Sequence, residues 1–425
     1  MARKMKDSGI EWIGEIPEGW RTCLYKYCCS VQPGYPFNSA KFSNSSTDGF
    51  PLIRIRDITS GEIQTYYTGE YPPNYIVTAG DLLVGMDGDF NVRWWNNDAA
   101  LLNQRCCRVT EKDSVLRRFL YYVLPFTLQH INTLTYATTV KHLANGDILN
   151  SFIAFPSLPA QQNIVHYLDT VCSEIDAMLS KTRSSIEEHK KLKQAVITQA
   201  VTKGVRGERE MKDSGVEWAG LVPHHWGVAK IGSIGQTSSG ATPLRSKEAS
   251  FFDDATIRWV RTLDLNDGLV YDSSEKITEL ALASSACSIM PKGTVCVAMY
   301  GGAGTIGKCG LLMSDCATNQ AVCSIVCNRE IVSPIFLLMQ LLALKSYWMK
   351  YAVGTRKDPN ISQDIVARMK ILIPPLDEQK EITDHLDAKC AEIDKLIAKK
   401  EQLVKELDSY KKSLIYEVVT GKREV

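Results

Sequence analysis

The chain has 425 residues, 44% of them hydrophobic, so it is long enough for two or three globular domains with separate cores. Lysine and arginine number 49 against 48 aspartate and glutamate, so the overall charge of +1 does not by itself indicate a polyanionic partner. The 13 cysteines form no C-x-x-C pair and no cysteine–histidine cluster at zinc-ligand spacing, which argues against a metal site. Since we find neither a signal peptide nor a membrane-spanning run, we expect a cytoplasmic protein with reduced thiols.

The opening segment of the chain returns in its second half. MKDSGIEWIGEIPEGW at 5–20 is repeated as MKDSGVEWAGLVPHHW at 211–226, with ten of sixteen residues identical. PSLPAQQNIVHYLDTVCSEID at 156–176 is repeated as PPLDEQKEITDHLDAKCAEID at 374–394, again with ten identities. The sequence between these anchors diverges, apart from short fragments such as Asn103-Gln104 and Asn319-Gln320. A repeated scaffold with different intervening sequence indicates two halves that do the same kind of task on different targets.

The stretches between the anchors, 21–155 and 227–373, mix short β-rich runs with helical segments. The runs that predict strands include 50–56, 80–85, 294–300 and 370–373, and the segments that predict helices are 114–134 and 331–351. Each half is therefore expected to contain an α+β domain with a twisted sheet.

Two long proline-free segments, about 160–202 and 378–420, predict single helices. Apolar residues at steps of three and four predict a coiled-coil seam along both. The seam residues are Ile164, Leu168, Val171, Ile175, Ile382, Leu386, Ile393, Leu396, Leu403 and Leu407. Met178 and Leu192 also fit the first seam, which Thr182, Ser185 and His189 interrupt, while Lys389 and Lys400 interrupt the second.

The second repeat begins directly after the first long helix, so we expect the second helix to return antiparallel to the first. This places two domains at opposite ends of a two-helix coiled coil, related by a pseudo-two-fold axis within one chain. The expected boundaries are 1–159 for the first domain, 160–204 for the first long helix, 205–377 for the second domain and 378–425 for the second long helix.

These features resemble the specificity subunits of type I restriction-modification enzymes over nearly the whole chain. The most specific motifs are Asp-Ser-Gly-x-Glu-Trp-x-Gly-x-x-Pro-x-x-Trp, at 7–20 and 213–226, and Pro-Pro-Leu-x-Glu-Gln-x-x-Ile at 374–382. Each half is similar to one target-recognition domain followed by its helix. The first copy has Ser157 and Ala160 in place of Pro375 and Glu378, which predicts a weaker start of the first long helix.

The resemblance implies a non-catalytic subunit that binds double-stranded DNA at two half-sites. It also implies that two methyltransferase subunits bind through the helical regions and that restriction and motor subunits join through the complex. S-adenosylmethionine, ATP and Mg are then expected in the partner subunits, and no cofactor is expected in this chain.

Candidate DNA-binding residues follow from the chemistry of base and phosphate recognition. Arginine and lysine suit guanine, asparagine and glutamine suit adenine, and cations and hydroxyls suit phosphate. The candidates in the first half are Arg54, Arg56, Arg93, Trp94, Asn96, Asn97, Thr138, Thr139, Lys141 and His142. Those in the second half are Arg258, Arg261, Tyr300, Lys308, Thr355, Arg356, Lys357 and Asn360.

Structural roles compete with DNA binding at several of these positions. Arg54 and Arg258 are equally well explained as strand residues that face solvent or pair with a carboxylate. Consecutive strand residues face opposite sides, so one of Trp94 and Trp95 is expected in the core. The repeated tryptophans are expected to anchor each domain to the helices: Trp12, Trp20, Trp218 and Trp226.

Two segments imitate enzyme motifs. Residues 302–307 fit G-x-G-x-x-G, but the following 308–313 predicts a strand rather than the helix of a cofactor loop, so a glycine-rich hairpin is the better interpretation. Residues 71–75 contain the letters of an adenine-methyltransferase signature in the wrong order, as a turn would. We therefore expect no catalytic residue.

The alternative function is a coiled-coil adaptor that binds proteins rather than DNA. The near-neutral overall charge of the chain would suit this function.

Overall fold

The computed structural model describes residues 3–134, 141–244, 248–301, 304–354 and 359–425, which form two compact units. The first unit comprises Met1–Thr182 with Gln402–Val425, and the second comprises Arg183–Glu401. Each is a mixed helix and sheet domain joined to parts of two long helices, Leu158–Lys203 and Leu376–Val419. The predicted α+β class with an internal repeat is confirmed.

The first unit contains a four-stranded sheet and a five-stranded sheet. The four-stranded sheet has the spatial order Val92–Trp94, Leu82–Gly85, Cys106–Glu111 and Cys29–Pro33. The five-stranded sheet has the order Phe42–Ser43, Tyr66–Tyr67, Phe50–Ile53, Ala100–Leu102 and Ile76–Val77. Two further pairs are Met5–Asp7 with Glu15–Pro17 and Arg21–Leu24 with Phe152–Phe155. The helices of this domain are Tyr25–Cys28, Ile55–Ser60, Arg117–Leu134 and Asn145–Leu149, with 3-10 turns at Ser39–Lys41 and Pro73–Tyr75.

The second unit repeats this plan with a five-stranded and a four-stranded sheet. The five-stranded sheet has the order Gly235–Ser239, Val322–Cys327, Val295–Ala298, Cys309–Leu312 and Gly268–Val270. The four-stranded sheet has the order Glu275–Ile277, Ile257–Val260, Cys316–Thr318 and Ile289–Met290. The short pairs are Met211–Asp213 with Leu221–Pro223, Gly227–Lys230 with Lys370–Ile373, and Val353–Gly354 with Pro359–Asn360. The helices are Ile231–Ile234, Glu248–Phe252, Glu279–Ala283, Pro334–Ala343, Trp348–Tyr351 and Gln363–Arg368, with a 3-10 turn at Lys345–Tyr347.

The core of each domain continues into the long helices. In the first unit, Val109 lies between Val31 and Leu82 on adjacent strands, and all three pack in or against a cluster that also contains Leu168 and Leu414. In the second unit the corresponding cluster joins its central sheet to Ile197, Val201, Ile382 and Leu386. Each domain and its share of the helix pair therefore exclude water from one common apolar interior.

The repeated tryptophans contact the long helices as expected. The hydroxyl of Tyr416 donates to the carbonyl of Trp12 at 2.9 Å, and Trp20 packs in the cluster that contains Leu414. In the second unit the indole of Trp226 donates to Glu378 at 3.0 Å. Trp218 lies in the same cluster as Ile197, although its own indole donates to the carbonyl of Lys370.

The two long helices are antiparallel. In the second unit Lys400 binds Ser185 while Lys193 binds Asp394, so advancing along one helix moves back along the other. The repeat that aligns Pro156 with Pro374 also aligns Asp176 with Asp394 and Lys193 with Lys411. In the first unit Lys411 binds Asp176 at 2.6 Å, which is the same ion pair with the helices exchanged. The predicted antiparallel packing is confirmed within the second unit, and the first unit repeats its ion pair.

Burial follows the predicted seam at eight of its ten residues and departs from it at two positions of the second helix. Ile164, Leu168, Ile175, Ile382, Leu386 and Ile393 are buried, and Val171 and Leu407 are half-buried against the core. Leu396 and Leu403 instead remain 45% and 43% exposed. Met178 and Leu192 are likewise exposed, because Leu179 and Lys193 face inward beside them.

The predicted seam chose Leu396 and Leu403, whereas their neighbours Ile397 and Val404 face inward. From Cys390 onward, the inward positions of the second helix include Cys390, Ile393, Ile397, Lys400, Val404, Leu407, Lys411, Leu414 and Val418. A lysine stem can lie against apolar neighbours while its ammonium reaches the edge of the pair. Lys400 does this with Ser185 and Lys411 with Asp176. The apolar residues left outside are Leu396, Leu403 and Tyr410, and each precedes an inward residue by one position.

Two other sequence predictions needed correction in length. The run 50–56 is a strand only to Ile53, because the Asp57 carboxylate accepts the Arg54 backbone N–H at 2.8 Å and a helix begins at Ile55. Arg54 and Arg56 are therefore not strand residues. The segment 331–351 breaks after Ala343 into a 3-10 turn and a short helix. Among the described residues, no helix is sufficiently long and apolar to span a membrane.

Candidate nucleic-acid interface

In the first unit, three segments of the chain meet at the end of the strand Leu82–Gly85. The backbone of Met86 donates to Arg105 at 2.9 Å and accepts from Leu143 at 2.7 Å. This junction brings together Asp87, Gln104, Arg105, Lys141 and His142, which we name the first face.

The second unit forms the same junction at the end of the strand Val295–Ala298. The backbone of Met299 donates to Ala321 at 2.8 Å and accepts from Ile361 at 2.9 Å. The residues beside it are Thr242, Tyr300, Lys308, Gln320 and Asn360, which we name the second face. The backbone arrangement is repeated, and the side chains that it presents are different.

A glycine holds the neighbouring strand close to each junction. A Cβ atom at Gly34 would lie 2.1 Å from the carbonyl oxygen of Asn103, and one at Gly240 would lie 1.9 Å from that of Thr318. Such contacts are far inside van der Waals distance, so only glycine fits. The Asn-Gln turn that carries Gln104 or Gln320 is therefore held in place in each unit.

The first face is built around the carboxylate of Asp87. Asp87 accepts a hydrogen bond from Arg105 Nη1 and another from His142 Nδ1 at 2.7 Å. With Gln104, these residues line an open pocket of about 420 Å³. Lys141 turns away and donates to the side chain of Asn132 at 2.7 Å. Exposed donors therefore surround one nearly buried acceptor.

The second face carries neutral polar groups instead. The hydroxyl of Thr242 donates to the amide oxygen of Gln320. Burial raises the pKa of the Tyr300 phenol, and a hydrogen bond with Gln320 offsets part of that rise, so Tyr300 stays protonated at neutral pH. The side chain of Asn360 is exposed, and Lys308 is half-exposed. This face offers hydroxyl and amide groups with one cation beside them.

Sequence reasoning found part of each face and missed the rest. Lys141, His142, Tyr300, Lys308 and Asn360 were predicted. The residues missed are Asp87, Gln104, Arg105, Thr242 and Gln320. The repeated Asn-Gln dipeptide was the available signal, because it survives where the surrounding sequence diverges.

Several other candidates in the first unit already have partners within the chain. The guanidinium of Arg93 donates to the carbonyls of Ile58 and Thr59 at the end of the helix Ile55–Ser60. Asn97 donates to the carbonyl of Gly61 at 2.8 Å. These carbonyls have no partner inside the helix, so Arg93 and Asn97 satisfy its end. Arg56 donates to the hydroxyl of Thr65 at 2.8 Å.

As expected, one of the adjacent residues Trp94 and Trp95 lies in the core. Trp95 is fully buried and donates to the carbonyl of Asp98. Trp94 is half-buried, with the guanidinium of Arg118 4.6 Å from its ring centre. Arg54 and Asn96 are exposed, and the Arg54 guanidinium lies 5.8 Å from the ring of Phe42.

The candidate arginines Arg258 and Arg261 of the second unit are ion-paired. Arg258 lies in the strand Ile257–Val260 and binds Asp272 at 3.1 Å. Arg261 binds Glu275 and donates to the hydroxyl of Ser274 at 2.9 Å. For Arg258, pairing with a carboxylate is the structural role that the sequence offered as an alternative to DNA binding.

Five predicted residues lie outside the described residues: Thr138, Thr139, Thr355, Arg356 and Lys357. Within the ranges that are described, no group of three or more histidine, cysteine, aspartate or glutamate side chains could hold a metal ion. The loop at 302–307 is described only at Gly304 to Gly307, and the next element is the strand Cys309–Leu312.

The two junctions lie within two matches to one protein-family model. The model describes a type I restriction modification DNA specificity domain and matches residues 13–188 and 223–406. The chain belongs to this family. The specificity domain occurs twice, which agrees with the repeat read from the sequence.

Known specificity subunits are similar over most of the chain. The type I restriction enzyme EcoBI specificity subunit of Escherichia coli is 29% identical, with 91% of this chain and 82% of that protein covered. The MjaVIII specificity subunit of Methanocaldococcus jannaschii is 23% identical, covering 96% of this chain and 94% of that protein. A chain from a solved structure of a type I R-M system matches with a TM-score of 0.71 at 15% identity, covering 96% of this chain and 99% of that one. The fold is therefore that of a specificity subunit.

Proposed function

We propose that the two faces each read one half of a split DNA target, and that the helix pair in each unit binds one methyltransferase subunit. The observation that carries the first part is the repeated junction with different side chains. A shared backbone holds both faces in the same way, while Arg105 and His142 stand on one and Tyr300 and Asn360 on the other. Two half-sites of different sequence follow, because base edges are distinguished by the donors and acceptors that meet them.

The chain supplies DNA specificity rather than chemistry. Its family is defined by the specificity domain, and its relatives are named specificity subunits. S-adenosylmethionine, ATP and Mg belong to the methyltransferase and restriction subunits in this proposal. The complex acts in the cytoplasm, where it methylates adenines in its target or cleaves unmodified DNA. In this proposal, residues 1–159 and 205–377 are the two domains that read DNA. Residues 160–204 and 378–425 are the helices that set the spacing between them.

The antiparallel helices support a fixed distance between the two half-sites. An internal two-fold relation directs equivalent domains toward opposite strands of a duplex, as in a dimeric DNA-binding protein. We propose that the domains lie at opposite ends of the helix pair, so that the length of the helices sets the gap.

The helix pair has one charged edge in each unit. Lys193 binds Asp394 at 2.7 Å in the second unit, and Lys411 binds Asp176 at 2.6 Å in the first. Each lysine stands at an inward position and pairs with an aspartate on the same edge of the helix pair. The charged groups of this edge therefore already have partners within the chain.

The opposite edge is apolar and exposed. Met178 and Tyr410 in the first unit are 52% and 49% exposed, and Leu396 and Leu192 in the second are 45% and 51% exposed. Each precedes an inward residue by one position, so in an antiparallel pair both members lie on the same edge. The repeat aligns Met178 with Leu396 and Leu192 with Tyr410. Adjacent exposed apolar residues are consistent with an interaction surface, and two equivalent pairs of them favour two copies of the same partner.

The DNA part is tested by binding of the chain, assembled with its methyltransferase, to duplexes with a split target. Insertion of one or two base pairs between the half-sites should abolish specific binding, because the gap is set by rigid helices. Binding that is indifferent to the gap would refute the proposal. A steep loss of affinity with salt is expected for DNA, whereas no duplex binding with or without the partner would favour the protein-binding adaptor.

The docking part is tested by placing a charge on each apolar edge. Met178→Glu or Leu396→Glu should each reduce the assembly from two methyltransferase copies to one, and the double variant should bind none, as measured by native mass spectrometry. The matched controls are Ala177→Glu and Ala398→Glu, whose side chains are exposed away from the edge. Two copies retained by the double variant would exclude this edge as the docking surface.

A further inference from the structure

A nearly buried carboxylate holds two exposed side chains on the first face. The Asp87 side chain is 11% exposed, whereas those of Arg105 and His142 are 60% and 61% exposed. One carboxylate oxygen accepts from Arg105 Nη1 and the other accepts from His142 Nδ1. Both oxygens are thus in use, and the two donors are fixed relative to each other.

Asp87 remains ionised in this setting. Burial alone would raise the pKa of its carboxyl, but the hydrogen bonds from His142 and Arg105, together with the charge of Arg105, lower it overall. A charged carboxylate next to a guanidinium fixes the plane of the guanidinium. An arginine held in this way loses less conformational entropy when it binds a further partner.

We propose that Arg105 reads a guanine in the half-site bound by the first unit, an inference that rests on the proposed DNA-reading function. A guanidinium carries five N–H donors in one plane, and Asp87 uses the Nη1 side. The remaining donors can form the paired hydrogen bonds to O6 and N7 that distinguish guanine in the major groove.

The carboxylate also decides between a base and a phosphate. A phosphate at Arg105 would approach the negative charge of Asp87, and like charges at close range disfavour each other. The edge of a guanine is neutral and rich in acceptors, so it is not repelled in this way. Arg105 is therefore suited to a base rather than to the DNA backbone.

The second unit lacks this guanine reader. Ala321 occupies the position of Arg105, as the equivalent hydrogen bonds from Met86 and Met299 establish, and Tyr300 takes the place of Asp87. Ala321 is buried and has no donor beyond its backbone. Loss of Arg105 should therefore alter one half-site and leave the other unchanged.

The test maps methylated adenines across the genome of a host that produces the complete methyltransferase complex. The wild type should yield a split target with a guanine in one half-site. In Arg105→Ala that position should accept other bases, with discrimination reduced by roughly 5- to 150-fold, the range for one paired contact. Arg105→Lys should keep part of the preference. The control is Arg368→Ala, which removes an exposed arginine ion-paired to Asp364 in the second unit.

The outcomes separate this inference from the function on which it rests. If the wild type gives no split target, the proposed function fails. If the wild type gives one but the Arg105→Ala target is identical, or the affected half-site contains no guanine, only the assignment of Arg105 fails. If Arg105→Ala abolishes methylation, duplexes carrying each of the four bases at that position decide the case: loss confined to guanine supports the assignment, and equal weakening on all four overturns it.

Discussion

Gln161 and Gln379 make the same three hydrogen bonds, each inside its own unit. The amide oxygen of Gln161 accepts from the backbone of Leu116, and its nitrogen donates to the carbonyls of Ser114 and Pro156. Gln379 does the same with Ser333, Ile331 and Pro374. Both side chains are fully buried in the first turns of the long helices. They fix each helix to the chain that precedes the main helix of its domain.

We expect Gln161→Met to destabilise the first unit although it keeps the side-chain volume. The change leaves the Leu116 N–H and two carbonyls without partners in a buried place, and each such group costs about 1–3 kcal/mol. The free energy of unfolding, measured by hydrogen exchange of the first unit, should fall by about 2 kcal/mol or more. Gln162→Met is the matched control, because Gln162 is exposed. Equal stability of both variants would contradict this role.

The start of the second long helix carries an ion network that the first lacks. Glu378 accepts from Arg206, Arg209 and Trp226, each at 3.0 Å, and from His225 at 2.7 Å. Ala160 stands at the corresponding position of the first helix. The first helix nevertheless begins at Leu158, the counterpart of Leu376. The weaker start expected from Ala160 is not seen in its bounds, because the bonds of Gln161 are retained.

The network predicts loss of stability in acid. Burial would raise the pKa of Glu378, but its bonds from Trp226, His225 and Arg209 lower it overall. A carboxyl with a lowered folded pKa stabilises the protein above its unfolded pKa of about 4.3, and that stability is lost as pH falls through the folded pKa. Glu378→Gln should therefore be less stable than the wild type at pH 7, by about 1.5–3 kcal/mol for one charged hydrogen bond, with the gap closing below about pH 4.3.

Denaturation of the second unit at several pH values between 7 and 3 measures this gap. The control is Glu208→Gln, since Glu208 is exposed and outside the network. A difference between wild type and Glu378→Gln that stays constant over the whole range would show that the charge of Glu378 contributes no stability.

Substitution of Arg93 distinguishes a structural role of this residue from a role in DNA binding. Its two bonds to the end of the helix Ile55–Ser60 predict that Arg93→Ala lowers stability by about 1–2 kcal/mol, as for other helix-end contacts. The salt dependence of duplex binding by the assembled complex should not change, because a lost phosphate contact would reduce the slope by about 0.9. A reduced slope with unchanged stability would restore Arg93 as a phosphate contact.

The repeat made the architecture predictable from sequence. Identical anchors around Trp20 and Trp226, and around Gln161 and Gln379, required equivalent packing in each half. The faces were less predictable, because their residues come from distant segments that meet at the backbone bonds of Met86 and Met299. No local pattern places Asp87 beside Arg105.

Local chemistry also misled the interpretation at particular residues. The run that ends at Arg56 has strand-like composition, but Asp57 caps the backbone of Arg54 and starts a helix. On the second long helix, the spacing of leucines favoured Leu396 and Leu403 over their inward neighbours Ile397 and Val404. Both choices follow steps of three and four residues from Ile393 to Leu407, so apolar spacing alone does not decide between them.

The same substitution should have different effects on stability at two leucines of the second unit, one of which faces inward and one of which is exposed. Leu386 is fully buried, so Leu386→Ala should cost about 2–5 kcal/mol. Leu396 is 45% exposed, so Leu396→Ala should change the stability of the isolated chain by no more than about 0.5 kcal/mol. Hydrogen exchange in the second unit measures both. If Leu396→Ala were as destabilising as Leu386→Ala, Leu396 would have to face inward, and the exposed edge proposed for the methyltransferase would not exist.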